Sequence, residues 1–448
     1  MTTGWRALRT ELLRGTAPYA ALAFAASGAA LLYNETEDWA GRWAPLAQYL
    51  RVMLIVLVPL AVAAGAWQAG RERRRRINEL LGSTPRPEWQ RVIVAWGAVT
   101  VGMSAGLLAV WLSGAMLVAP VATYLGRGWW WTLGIAFVGL AAGSAIGVAI
   151  GRVIPGRVVG PVAGVLTYIV LGYTAYDTER GVSWLAPSMG YAGDGGLYLP
   201  PSFHFLQALW LGALTATVLV LVGARRKLWA LVPAGMAVAA ALPIANGPGY
   251  DRWISDPVAR EPVCVPGPPE VCVARVNEFL LDELAPRAQE ALARWAGVPG
   301  GFVRTVDSSM RDERDGGPWP DQTMVIAVTQ FATPTGGLSE REQYGGSFQN
   351  LFASAAASVI AQRCDPDSEF VWRATDVVWA WAGGDSGEDE AAELVDGNGN
   401  RVESPTSPDL ERLLAMPEAE QKAWMGRFLA ASRNCDEAAF TELMAELG

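Results

Sequence analysis

Long apolar stretches dominate the first half of the chain and constrain its fold more than any other feature. A bilayer core needs about 20 mostly apolar residues per helix. The sequence therefore predicts an all-α polytopic membrane bundle of six to seven transmembrane helices. The first stretch is short and the last contains two prolines, which leaves the count open between six and seven. The seven stretches are Ala17–Tyr33, Arg51–Gly70, Val92–Val118, Trp130–Gly151, Val158–Tyr176, Phe205–Gly223 and Leu228–Ala245.

Charge divides the chain into two parts near Asn246. Residues 1–245 carry 19 Lys and Arg against 10 Asp and Glu, a net charge of +9. Residues 246–448 carry 16 against 34, a net charge of −18, and the two values sum to the −9 of the whole chain. This division predicts a transmembrane permease-like domain over residues 1–245 and an acidic, water-facing domain over residues 246–448.

Basic residues cluster in alternate connections between the apolar stretches, and Lys and Arg in short loops are retained on the cytoplasmic side. The pattern predicts a cytoplasmic N-terminus, and seven spans would place the C-terminal domain outside the cell. The scarcity of lysine and the abundance of Ala, Gly and Arg indicate a bacterial source, so we expect a multi-pass protein of the bacterial plasma membrane, with no cleavable signal peptide. The clusters are Arg6, Arg9 and Arg14; Arg71, Arg73–Arg76, Arg86 and Arg91; Arg152 and Arg157; and Arg225, Arg226 and Lys227.

All four cysteines, Cys264, Cys272, Cys364 and Cys435, lie in the acidic half. An even number of cysteines in an exported domain is typical of disulfides. Three pairings are possible, and we favour Cys264 with Cys272 across the intervening PGPPEV and Cys364 with Cys435. Four unrelated buried thiols are the alternative if the domain is cytoplasmic.

Apolar spacing predicts that the acidic domain is α+β and mainly helical. The segment from Val273 to Trp295 has apolar residues at helical spacing, with a bend expected at Pro286. The segment that begins at Thr323, TMVIAVTQFAT, alternates and is rich in β-branched residues, which predicts a strand. The later segments EFVWRATDVVWAWAG and SPDLERLLAMPEAEQKAWMGRFLAASRNC are predicted to be helical.

Four glycines at intervals of four residues, Gly139, Gly143, Gly147 and Gly151, share one face of the fourth apolar stretch. Small residues at this spacing let two helices approach closely in lipid. The pattern fits tight packing inside one subunit at least as well as an interface between subunits.

Sequence motifs for catalysis or metal binding are incomplete. Residues 384–387 read GDSG, but an acidic run follows, and the only histidine, His204, would have to act as the base from a membrane loop. Residues 396–400 read DGNGN, but Arg401 replaces the glycine that a calcium loop requires, so a hairpin turn is the better interpretation. No H-E-x-x-H motif and no phosphate-binding G-x-x-x-x-G-K-[ST] motif is present. We therefore expect no catalytic or metal-binding residues, no cofactor, no nucleic-acid partner and no enzymatic activity in this chain.

A basic and leucine-bearing segment, RERRRRINELLGSTPRPEWQR at residues 71–91, separates the second and third stretches. The arginines satisfy the orientation rule, but the part that follows them resembles the cytoplasmic coupling segment of type-2 ABC exporter permeases. That resemblance is carried by Glu79, Leu80, Leu81, Ser83, Thr84, Pro85 and Arg86. It covers residues 1–225, whereas family members have six spans and no counterpart of residues 246–448.

The resemblance implies a permease subunit of an ABC transporter that exports an amphipathic or lipid-like substrate. Residues 79–86 would then bind a separate ATPase subunit, and the permease would contact membrane lipid and pair with a second permease subunit as a homodimer or heterodimer. A function from a different class is a membrane-anchored sensor or interaction protein whose acidic outer domain binds a partner.

Overall fold

The computed structural model describes residues 9–12, 17–74, 87–154, 156–177, 179–193, 195–312, 314, 319–339, 348–361, 369–383 and 408–448. The chain is mostly helical and divides into two compact units. The membrane unit consists of Met1–Pro120 and Leu125–Asp256, and the acidic unit consists of Val121–Tyr124 and Pro257–Gly448.

Eight α-helices are described in the membrane unit. Six segments within them are long and apolar enough to cross a membrane, which agrees with the predicted bundle of six to seven helices. The last of the six includes a short 3₁₀ turn, Lys227–Ala230, that precedes α8. The helices are α1 Ala17–Leu32, α2 Trp43–Val52, α3 Leu54–Arg74, α4 Glu88–Val118, α5 Trp129–Val153, α6 Val159–Tyr176, α7 Pro201–Gly223 and α8 Leu231–Ala245.

The first two predicted spans differ from the helices observed. The helix α1 has 16 residues, fewer than a simple crossing needs. The predicted span from Arg51 begins at Leu54 instead, because α2 ends in a turn at Met53. Arg51 therefore belongs to α2, where its side chain is wholly buried in the protein.

The helices α3 and α5 pack closely because glycines on α5 face the backbone of α3. A Cβ atom built on Gly147 would lie 2.1 Å from the carbonyl oxygen of Val62, and one built on Gly151 would lie 2.2 Å from that of Ala66. Gly143 also faces α3, where its Cβ would meet a methyl group of Val58 at 2.9 Å. These three glycines therefore serve packing within the chain.

A four-stranded sheet lies in the acidic unit. Its strands are β3 Pro262–Val265, β4 Glu270–Ala274, β5 Arg304–Asp307 and β6 Thr323–Ile326, in that spatial order. The pair β3–β4 is antiparallel, while β4, β5 and β6 run parallel. The two earlier strands, β1 Leu197–Tyr198 and β2 Ile254–Ser255, pair with each other in the membrane unit.

Six α-helices are described in the acidic unit: α9 Leu281–Ala293, α10 Phe348–Ala361, α11 Glu369–Trp381, α12 Pro408–Ala415, α13 Glu418–Asn434 and α14 Glu437–Leu447. The helix predicted from Val273 begins later than expected, because Val273 belongs to β4 and a 3₁₀ turn precedes α9. Pro286 lies inside α9, and the strand predicted at Thr323 is β6, which ends at Ile326.

The predicted disulfide between Cys264 and Cys272 is present. The two residues are direct partners in the β3–β4 pair, with their Cα atoms 4.1 Å apart. Cys435 is also disulfide-bonded, whereas Cys364 lies outside the described residues.

Candidate functional site

A cavity of about 890 Å³ lies among the helices of the membrane unit. It follows α5 from Gly139 to Ile154, the residue after the end of the helix, a distance of about 22 Å along the helix axis. The opposite wall is formed by α6, from Val158 to Thr174, while α3 and α7 contribute the remaining sides. The contacts from α3 and α7 are made by Val58, Val62, Trp210, Leu211 and Leu214.

Small residues on α6 explain why this space stays open. A Cβ atom on Gly160 would lie 3.0 Å from the carbonyl oxygen of Ala63, and one on Gly164 would lie 3.2 Å from that of Pro59. These glycines let α6 pack against α3. Because α6 packs mainly against α3, its contact with α5 is small and a gap remains between α5 and α6.

The cavity lining offers almost no free hydrogen-bonding capacity. Its two threonines bond to their own helix, with Thr167 donating to the Ala163 carbonyl at 2.8 Å and Thr174 to the Leu171 carbonyl at 2.7 Å. The indole N–H of Trp210 donates to the Leu185 carbonyl at 3.1 Å. An occupant must therefore be apolar, because a polar group would lose its hydrogen bonds to water without replacement.

The cavity is open along one side. Three α6 residues that line it, Val162, Leu166 and Val170, are 53%, 58% and 62% exposed. In a membrane such a side would face acyl chains, so a hydrocarbon chain could enter without crossing a polar surface.

Residues 181–187, which we call the roof segment, close one end of the cavity. Val182, Leu185, Ala186 and Pro187 belong to the lining. Pro187 sits directly on α5, where a Cβ atom added to Gly139 would lie 2.7 Å from the Cβ of Pro187. The roof segment thus depends on glycine at position 139, the fourth glycine of the predicted stripe.

Two buried polar side chains, Arg51 and Gln207, bind backbone carbonyls of the roof segment. Arg51 donates from Nε to the Pro187 carbonyl at 3.0 Å and from Nη2 to the side-chain oxygen of Gln207. Gln207 in turn donates to the carbonyls of Trp184 at 3.0 Å and Ala186 at 3.3 Å. Both side chains are fully buried, so their hydrogen bonds fix the roof segment against α2 and α7.

A second cluster of polar side chains joins the connection before α2, with Glu35 and Asp38, to Tyr49 and Tyr191. Tyr49 donates to the Glu35 carboxylate at 3.2 Å, and Tyr191 bonds to Asp38. Burial raises the pKa of Asp38 and of both tyrosines. The phenols therefore remain protonated near neutral pH and keep donating to the carboxylates.

The buried carboxylate of Asp307 has a structural role in the acidic unit. It accepts hydrogen bonds from Asn277 Nδ2 at 2.6 Å, the Ser309 amide at 3.1 Å and the Ala274 amide at 3.4 Å. Burial raises the pKa of this carboxyl, and the three donors oppose that shift. The hydrogen bond from the Ala274 amide to Asp307 thus joins the end of β4 to the end of β5.

Three side chains with metal-ligating atoms converge on the β3–β4 pair. The ligand atoms of Cys264, Glu270 and Cys272 lie within 4.8 Å of one another. Both sulfurs are consumed by the disulfide, which leaves one carboxylate. The arrangement is therefore a cross-strand disulfide beside an acid, and its donor set is too small for a zinc site.

Several residues singled out in the sequence lie outside the described parts of the chain. These are the coupling segment, Glu79, Leu80, Leu81, Ser83, Pro85 and Arg86, together with the GDSG and DGNGN motifs. His204 is buried near the start of α7. Sequence reasoning missed Arg51 and Gln207, although a charged residue at the edge of an apolar stretch is itself a signal of function or pairing.

Comparison of the chain with family models, with curated proteins and with solved structures finds no match to any of the three.

Proposed function

We propose that this chain is the transmembrane permease subunit of an ABC exporter, and that it moves a lipid-like substrate with energy supplied by a separate ATPase. The observation that carries the proposal is the apolar cavity of about 890 Å³, which is open along α6. A long cavity with saturated hydrogen bonds suits a hydrocarbon chain, while the lateral opening lets that chain enter from surrounding lipid.

The coupling role rests on the resemblance of residues 79–86 to the coupling segment of type-2 ABC exporter permeases. In that role Leu80 and Leu81 would provide the buried contacts with the ATPase, oriented by Glu79 and Arg86. A second permease subunit would complete the transporter. It would use a surface other than the glycine face of α5, because that face is occupied by α3.

Filling the cavity tests the substrate site. Ile146 lines the cavity, whereas Ile169 lies on the exposed side of α6 outside the lining, with 58% of its surface exposed. Ile146→Trp should weaken binding of a diacyl lipid to the purified chain by about tenfold or more, and Ile169→Trp should leave it unchanged. Equal affinities for the two variants and the wild type, measured by native mass spectrometry, would contradict the assignment of the cavity.

Loss of the paired leucines tests the coupling role. Leu80→Ala/Leu81→Ala should reduce recovery of an ATP-binding-cassette ATPase with the tagged chain, with a cost of about 2 kcal/mol or more per buried leucine. The matched control is Leu228→Ala/Leu231→Ala, since those leucines are 77% and 67% exposed. Full recovery of the ATPase with the first variant would favour the sensor function instead.

A further inference from the structure

We propose that Arg51 binds the anionic head group of the lipid whose acyl chain occupies the cavity, so that the substrate class is acidic lipids. The inference rests on the proposed function and specifies its substrate. Two arginines of the membrane unit, Arg42 and Arg51, are buried, with exposures of 1% and 0%, and they differ in their partners.

Each nitrogen of the Arg42 guanidinium has a hydrogen-bond partner. It donates to the carbonyls of Ala40 at 3.2 Å, Gly193 at 3.3 Å and Glu37 at 2.7 Å. Its charge also acts on the nearby carboxylate of Asp38. A buried cation with a neighbouring carboxylate and a hydrogen bond from each nitrogen is electrostatically compensated.

The guanidinium of Arg51 is not compensated in the same way. Its partners are a backbone carbonyl, from Pro187, and the neutral side chain of Gln207, and its Nη1 has no hydrogen-bond partner in the described residues. Within those residues no carboxylate pairs with it. A buried cation without a counter-charge is costly, and an anionic ligand would remove that cost.

Two more buried polar side chains without partners are close in sequence to the residues that Arg51 contacts. Both ring nitrogens of His204 lack hydrogen bonds in the described part of the chain, and so does the hydroxyl of Ser188. His204 precedes Gln207 by three residues, which places both side chains on one face of α7. Ser188 directly follows the Pro187 carbonyl that Arg51 contacts. Arginine, imidazole and hydroxyl groups together are suited to phosphate oxygens.

The polar group is separated from the cavity by a single stretch of backbone. Pro187 lines the cavity and also accepts the hydrogen bond from Arg51. On α7, Trp210 and Leu211 line the cavity one turn beyond Gln207. The end of the cavity that the roof segment closes is therefore the end nearest the buried arginine, with the roof segment between them.

The head group reaches Arg51 by replacing its present partners. Arg51 is enclosed, because a Cβ atom on Gly190 would lie 3.1 Å from its Nη1. Binding thus exchanges the Pro187 carbonyl and the Gln207 amide for phosphate oxygens, and it shifts the roof segment. Charge-assisted hydrogen bonds to phosphate are stronger than those to neutral carbonyls, and the planar guanidinium can bind two phosphate oxygens at once.

The test compares two lipids with identical acyl chains, phosphatidylglycerol and phosphatidylcholine, by equilibrium binding to the full chain in neutral detergent micelles. The wild type should bind phosphatidylglycerol about tenfold more tightly or better. Arg51→Gln should bind both lipids with the affinity that the wild type has for phosphatidylcholine. Arg42→Gln is the matched control and should keep the preference.

Three results would overturn the inference. The first is equal binding of the two lipids by the wild type, a result that does not depend on the folding of any variant. The second is an unchanged preference for phosphatidylglycerol in Arg51→Gln. The third is an equal loss of that preference in Arg42→Gln. Glycerol 3-phosphate is the competitor that separates a lipid from free phosphate: displacement as efficient as that by phosphatidylglycerol would overturn the lipid assignment. Failure of the proposed function would look different, because neither lipid would bind the cavity and Ile146→Trp would have no effect.

Discussion

Replacing Gly147 by alanine should separate the two most closely packed helices of the membrane unit. The added Cβ would lie 2.1 Å from the carbonyl oxygen of Val62 and 2.9 Å from its Cα, whereas ordinary contacts begin at 3.4 Å. Relief of the shortest contact requires α3 and α5 to move apart by about 1.3 Å, the difference between 3.4 and 2.1 Å. The neighbour is backbone, so no rotation of a side chain can remove the clash.

The expected change in the free energy of unfolding is the difference between two opposing contributions. Overpacking of this kind costs about 3 kcal/mol, at the upper end of the usual range. Alanine in a helix is favoured over glycine by about 1 kcal/mol. The expected net loss is therefore about 2 kcal/mol of the free energy of unfolding.

The matched control is Gly134→Ala in the same helix, where an added Cβ meets nothing within 4 Å. This variant keeps the propensity gain and should be as stable as the wild type or more stable by about 1 kcal/mol. The assay is unfolding of the purified chain by titration with a denaturing detergent, followed by circular dichroism. Equal stability of Gly147→Ala and Gly134→Ala would refute the account of α3–α5 packing.

Three further predictions concern the acidic unit and the topology. Removing the disulfide with Cys264→Ser/Cys272→Ser should lower the thermal stability of the acidic unit by about 2.5 kcal/mol, the loop-closure value for residues separated by 8 in sequence, and no change in the melting curve would contradict it. The raised pKa of Asp307 means that its contribution to stability is fully present below its unfolded value near 3.8 and is lost as the pH rises through the folded pKa. Asp307→Asn should flatten this fall in melting experiments at increasing pH, and parallel curves for variant and wild type would argue against it. Reporter fusions at Gly82 and Gly448 should lie on opposite sides of the membrane, because five of the six candidate spans follow Gly82, and detection on one side would exclude the seven-span topology.

The membrane helices could be predicted because each is identified by its own composition. The predicted stretches from Val92 to Val118 and from Trp130 to Gly151 lie within α4 and α5, and the stretch from Phe205 to Gly223 lies within α7. The boundary at Arg51 was wrong because hydropathy alone does not locate the turn at Met53. In the acidic unit, Val273 was assigned to a helix because its apolar spacing also fits one, whereas its pairing with Val263 of β3 places it in a strand.

The cavity could not be predicted from the sequence. Its walls are ordinary apolar helices, and the space between α5 and α6 lies beside the contact by which Gly160 and Gly164 pack α6 onto α3. The glycine spacing in this stretch is visible in the sequence, but the partner helix is not. The roof segment was equally hidden, because its attachment joins Arg51 and Gln207 across 156 residues of sequence.

The central claim, that the cavity holds the acyl chain of a lipid substrate, can be tested most directly by photolabelling. A phospholipid with a diazirine near the end of one acyl chain would be bound to the full chain in lipid nanodiscs, irradiated, and its adducts mapped by mass spectrometry. The account predicts adducts on cavity residues such as Ile146, Ile150 and Leu211, reduced by Ile146→Trp and by excess unlabelled lipid. Adducts confined to exposed residues outside the lining, such as Val165 and Ile169, and unaffected by competitor, would contradict it.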